Sequence, residues 1–145
     1  MSSRRKFTVS VLALMRVMVA CIAAITPMLA QGVTYRCDVA AVTNPKPDGK
    51  VDLLDPDVLQ RRQQHAIIED ETEPSVQRCS FTPSVGRVTC DRYEVDRVEI
   101  DRNVSLKKFY LFRAQFDIQL FSDLSFIENN GRGGLAYGKC KVTRP

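Results

Sequence analysis

The chain has 145 residues, with 21 Lys+Arg against 17 Asp+Glu, five cysteines, one histidine and no tryptophan. Four basic residues (Arg4, Arg5, Lys6, Arg16) and no acidic ones precede Gln31, so the remainder carries 17 of each and is formally neutral. The basic pI therefore belongs to the N-terminal segment and is no footprint of nucleic-acid binding, which needs positive charge on the folded part.

Arg4-Arg5-Lys6 opens an apolar run from Phe7 to Leu29, and the first acidic residue is Asp38. A basic head, an apolar body and a small residue at the end read as a secretory signal over residues 1–30, cleaved after Ala30. Arg16 splits the run into pieces shorter than the roughly 20 residues that span a bilayer. A start at Met15 would make Arg16 the head of a compact signal. Arg4-Arg5 also fits twin-arginine export. Residues 31–145 then form a single domain, periplasmic or secreted, with no membrane contact after cleavage.

That domain holds four cysteines, and an even count in an oxidising compartment predicts two disulfides. Thr34–Val42 reads as a first strand, with Tyr35, Cys37 and Val39 on one face. Asn44–Gly49 is a turn by its Pro and Gly content. Asp55-Pro56 predicts the start of a short helix running to about Gln64. The surrounding stretch, about 55–75, is expected to be an irregular insertion ending in the acidic loop Glu69–Pro74.

From Arg78 the pattern is β. If Pro83–Gly86 form a four-residue loop, Thr82 pairs with Arg87 and Cys79 falls opposite Cys90, within disulfide range. That leaves Cys37, on the first strand, for Cys140, on the last. Asp91–Val95 is echoed by Asp96–Ile100, an odd period that requires a bulge near Asp96 or Arg97 for a strand to continue. Tyr110, Phe112, Ala114, Phe116, Ile118 and Leu120 alternate with polar residues and predict one long strand. Leu124–Glu128 returns, Asn129–Gly134 is a loop, and Leu135–Val142 is the final strand. The fold class is mainly β, a small antiparallel barrel or sandwich with one short-helix insertion.

Gly133–Cys140 (GGLAYGKC) contains G-x-x-x-x-G-K, the opening of a phosphate loop. Such a loop needs a helix directly after the lysine and Ser or Thr next. Cys140 stands there instead, inside a predicted strand, so no nucleotide cofactor is expected. The cysteines lack the close pairs of a zinc site, and Asp52, Asp55 and Asp57 lack a calcium-loop signature; no metal is expected. His65 is the only histidine, and a small hydrolase built on it is the catalytic alternative. The stronger expectation is a non-enzyme that binds a macromolecular partner or envelope component. Its candidate partner-binding loop is Asn129, Asn130 and Arg132, with Tyr137 following on the last strand. A structural envelope protein without a soluble ligand is the third reading. In general shape, first and last strands joined by cysteines around a β meander, the chain resembles the small periplasmic lysozyme inhibitors. No motif matches theirs residue by residue.

Overall fold

The computed structural model describes residues 32–144; the signal reading of residues 1–30 lies outside them. Ten strands and one helix follow in order: β1 (Val33–Pro45), β2 (Val51–Leu53), α1 (Pro56–Arg62), β3 (His65–Asp70), β4 (Ser75–Thr82), β5 (Arg87–Glu94), β6 (Arg97–Asp101), β7 (Leu106–Leu111), β8 (Phe116–Phe121), β9 (Ser125–Asn129) and β10 (Leu135–Arg144). The sheet order is β5-β4-β3-β1-β10-β9-β8-β7-β6, with β2 added to the end of β1. Every pairing is antiparallel.

This order is the chain order closed into a ring. Walking from β5 to β6 crosses eight antiparallel pairings, so these two strands run in the same direction. Only Val95 and Asp96 separate them, and they form one long bent strand. Its first half pairs with β4 and its second half with β7. The sheet is therefore an eight-stranded up-and-down barrel, wide enough inside for packed side chains or one small ligand. At the bend, Val95 N–H donates to the Pro74 carbonyl and Asp96 N–H to the Tyr110 carbonyl. The break falls where the five-residue echo requires one.

Register decides which residues face inward, because directly paired residues share a face. Cys37 is paired with both Cys140 and Ala66, and Ala66 with Arg78. From there alternation places Ile68, Val76, Phe109, Leu111, Phe116, Ile118, Leu120 and Phe126 inside, and these form the core. Each fully buried aliphatic or aromatic side chain contributes about 1.5–3 kcal/mol, an upper figure because denatured chains already bury some surface. β1 shifts register between Val39 and Ala41, where Gly138 of β10 lies opposite Val39. A Cβ on Gly138 would collide with the Asp38 carbonyl and the Phe126 ring, so only glycine lets the two strands approach there.

Three expectations are corrected. The stretch 55–75 does contain the helix, capped by Asp55 Oδ1 accepting from Asp57 N (2.8 Å) and Val58 N (3.3 Å). However, it is not otherwise irregular: it contains β3, a central strand paired on both sides. The proposed continuous strand through Tyr110–Leu120 is instead the hairpin β7–β8, with Leu111 opposite Phe116. Residues 112–115 turn the chain, and Gln115 adopts φ 59. That pairing reverses the parity of β7, so Leu111 is buried and Phe112 exposed. Phe112 stacks on Tyr110, ring centroids 5.4 Å apart.

Candidate functional site

Both predicted disulfides are present. Cys79 and Cys90 pair directly in the β4–β5 ladder, Cα atoms 4.0 Å apart, with Thr82 opposite Arg87 as the loop length requires. Cys37 and Cys140 pair across β1–β10, Cα atoms 3.8 Å apart. The two bonds lie on opposite faces of the wall. Cys37–Cys140 belongs to the interior cluster, whereas Cys79, one step out of phase with inward Arg78, faces outward.

His65 is the register partner of Cys79 and is only 7 % exposed. Its Nδ1 lies 2.9 Å from the Gln63 carbonyl, which can only accept, so Nδ1 carries the proton. The imidazole lies near both sulfurs, its ligand atom and theirs within 4.8 Å of one another. Those sulfurs are bonded to each other, so neither is available as a thiolate ligand or nucleophile. Among the described residues, no hydroxyl or carboxylate is hydrogen-bonded to the ring. Two of the three acids considered for calcium are used locally: Asp52 pairs with Lys46 at 2.7 Å, and Asp55 caps α1.

The predicted loop is held by its own side chains. Asn129 Oδ1 accepts from Gly131 N (3.0 Å). Asn130 Oδ1 accepts from Arg132 N and Gly134 N, both at 2.9 Å. The two asparagines therefore shape the backbone, and Arg132 projects exposed, with no ion pair among the described residues. Tyr137 is half-buried in a separate depression lined by Asp38, Ala40 and Lys139, which Arg132 does not line. Gly131 has φ 71 and its Cα lies against the Gln115 carbonyl. Gly131→Ala is expected to lower stability by about 2 kcal/mol, because positive φ and a close backbone contact both penalise a Cβ. The midpoint of chemical denaturation would measure it. A loss under a few tenths of a kcal/mol would mean the loop is not pinned.

A third feature was not anticipated. One mouth of the barrel contains a cleft of about 360 Å³ lined by Arg78, Asp91, Tyr93, Glu128, Phe81 and His65, among others. Glu128 is 3 % exposed. Arg78 Nη2 reaches across the interior to Glu128 Oε1 at 2.6 Å, and its guanidinium lies 4.8 Å from the centroid of the Phe116 ring. Burial pushes the Glu128 carboxyl above its ordinary pKa despite the opposing pull of Arg78. Elsewhere, hydrogen bonds from Ser75 and Arg92 hold Glu69 low, and Lys139 with Ser125 does the same for Asp123. The strand order of β10 also disposes of the phosphate-loop motif, since Gly138 and Lys139 lie within a strand that continues to Arg144.

In comparisons with known proteins, no family, no curated protein and no solved structure matches this chain.

Proposed function

We propose that this chain is an exported, non-catalytic β-barrel domain, periplasmic or secreted, that binds a macromolecular partner or envelope component through its 129–134 loop. The observation that carries the reading is Arg132. Its loop is fixed by two asparagine side chains, and its guanidinium is exposed without an internal counter-charge. A loop with a fixed backbone loses little backbone freedom on binding, and planar guanidinium suits a carboxylate in bidentate geometry. A partner presenting an acidic cleft fits this end of the barrel. Export is supported by the two disulfides and by the basic-apolar order of residues 1–30. Among the described residues, no helix is long and apolar enough to cross a membrane. The non-catalytic reading is supported by His65, whose ring is buried, tied to a backbone carbonyl and surrounded by oxidised sulfur.

A photo-reactive amino acid at position 113, exposed on the 112–115 turn that packs against Gly131, tests the reading in the compartment of origin and leaves Arg132 in place. The expected result is a discrete cross-linked species from position 113 and none from Val85, an exposed apolar residue on the 83–86 turn. Excess unlabelled protein should suppress the adduct, and excess unlabelled Arg132→Glu variant should not. No adduct at 113, or equal adducts at both positions, overturns the loop assignment.

A further inference from the structure

We propose that His65, Cys79 and Cys90 form a redox-gated site for one thiophilic divalent ion of the zinc type. The site is closed while the Cys79–Cys90 bond is intact and is opened by a dithiol reductant. It is independent of the Arg132 reading. His65 is the register partner of Cys79, and Cys79 of Cys90, so the three side chains form one row across β3, β4 and β5. Directly paired residues share a face, and this row lies on the outer one. One ring nitrogen and both sulfurs lie within 4.8 Å of one another. A tetrahedral zinc ion holds sulfur and nitrogen ligands roughly 3.5–3.8 Å apart. Freed sulfurs reach that spacing by side-chain rotation, from ladder positions whose Cα atoms are 4.0 Å apart.

The imidazole is held as a metal ligand is held. Nδ1 donates to the Gln63 carbonyl at 2.9 Å, which leaves the ring's lone pair at Nε2. Metal-binding histidines commonly donate their other ring N–H to a backbone carbonyl in this way. Gln63 is itself fixed as the C-cap of α1, its N–H on the Gln60 carbonyl at 3.2 Å. His65 and Cys79 also line the cleft at the barrel mouth, which gives an ion a route from solvent. The charges lining that cleft balance, Arg62 and Arg78 against Asp91 and Glu128. Two thiolates created beside it are therefore the uncompensated charge, and a divalent cation neutralises them. Thiolate and imidazole donors favour zinc over magnesium or calcium. Three protein ligands leave the fourth position to water.

Access selects this disulfide over the other. Cys37 and Cys140 are both buried, whereas Cys90 is open to solvent. A thiolate of the reductant attacks the Cys90 sulfur, the Cys79–Cys90 bond breaks, and its electron pair goes to Cys79 Sγ. The reductant's second thiolate then displaces Cys90 and leaves the reductant as its own disulfide. Two electrons pass from the dithiol to the protein, and the dithiol's two protons end on the cysteines. Zinc binding releases both protons to solvent. The β4–β5 ladder and the intact Cys37–Cys140 bond keep the two thiols side by side after reduction.

Limited treatment with dithiothreitol, removal of the reagent and anaerobic titration with Co2+ as spectroscopic probe test the proposal. Alkylation followed by peptide mass should show Cys79 and Cys90 free while Cys37–Cys140 stays bonded. The reduced protein should take up a single Co2+ with a thiolate-to-cobalt charge-transfer band in the near ultraviolet, and Zn2+ should displace it. The oxidised protein should show no such band. His65→Gln should keep the band, since both thiolates remain, but bind Co2+ about tenfold or more weakly. A direct readout needs no variant. His65 is the only histidine, so its ring nitrogen resonances are unambiguous, and Zn2+ should shift Nε2 in the reduced protein alone. Prior opening of Cys37–Cys140, loss of the β-sheet circular dichroism on reduction, absence of the band, or an Nε2 resonance unmoved by Zn2+ overturns the proposal.

Discussion

Replacing Cys37 and Cys140 together by alanine should lower the unfolding free energy by about 5 kcal/mol, and the same change at Cys79 and Cys90 by about 3 kcal/mol. The difference follows from loop length. The first bond joins residues 103 apart and the second joins residues 11 apart. A longer closed loop removes more entropy from the denatured chain, although the dependence is only logarithmic. Topology adds a second reason. β1 and β10 are the pairing through which the meander β1-β3-β4-β5 closes on the meander β6-β7-β8-β9-β10. The first bond fastens that closure from inside the core, while the second fastens a hairpin that its own turn already brings together. Against a typical domain stability of about 5–15 kcal/mol, losing the first bond removes a third or more of the total. Urea midpoints of the two double variants, measured oxidised and at one pH, decide the matter. Equal losses would show that loop closure does not control this fold. No loss from either would remove the structural role of the bonds altogether.

The parts of the fold legible in the chain are those where turn chemistry and cysteine spacing agree. Pro83–Gly86 sets a loop length, the loop length sets a register, and the register brings Cys79 to Cys90. The odd echo of Asp91–Val95 in Asp96–Ile100 likewise required a break, and the chain bends at Val95–Asp96. The β7–β8 turn carried no such mark. Phe112-Arg113-Ala114-Gln115 has no Gly, Pro, Asn or Asp, and Gln115 takes the left-handed conformation without local encouragement. Apolar alternation continued across it and imitated a single strand. β3 was obscured by its ends, His65 at one and Glu69-Asp70 at the other, although Ala66 and Ile68 between them are core residues.

The cleft was illegible for a different reason. Once Cys79 is placed opposite Cys90, Arg78 necessarily falls opposite Asp91. Local register cannot say which of these two adjacent pairs faces inward. That choice is made by ring closure: Cys37 and Ala66 carry the interior parity through β3 to Arg78. The expectation that charged residues face solvent then points the wrong way. Glu128 gives the one local hint, because it alternates with Phe126 on a strand whose partner residue Ile118 is buried. A carboxylate in phase with core residues is either a register error or a buried charge with a partner. Here it is the latter.

Arg78→Met should therefore be the most damaging single change in the cleft, lowering stability by about 3 kcal/mol at neutral pH, at the low end for a broken buried pair because Arg78 is partly exposed. The loss should depend on pH. Burial raises the folded-state pKa of Glu128 above its ordinary value, and Arg78 is the group opposing that rise. Between the unfolded and folded values the folded protein holds more protons, so its stability falls as pH increases through that window. Removing Arg78 lifts the folded value further and extends the window upward. Below the unfolded value Glu128 is protonated in both states, and the charge-burial penalty vanishes. Urea midpoints of Arg78→Met should consequently lie closest to the parent near pH 4 and diverge toward pH 7. Glu128→Gln should cost less, since the remaining guanidinium keeps its Phe116 contact and part of its solvation. The Arg78→Met/Glu128→Leu double variant should recover most of the single-variant loss, because it leaves neither charge alone in the interior. A loss for Arg78→Met that is independent of pH would place its cause in lost packing on Phe116 rather than in a stranded carboxylate. Strict additivity in the double variant would carry the same meaning, since two side chains that share one buried interaction cannot be removed independently.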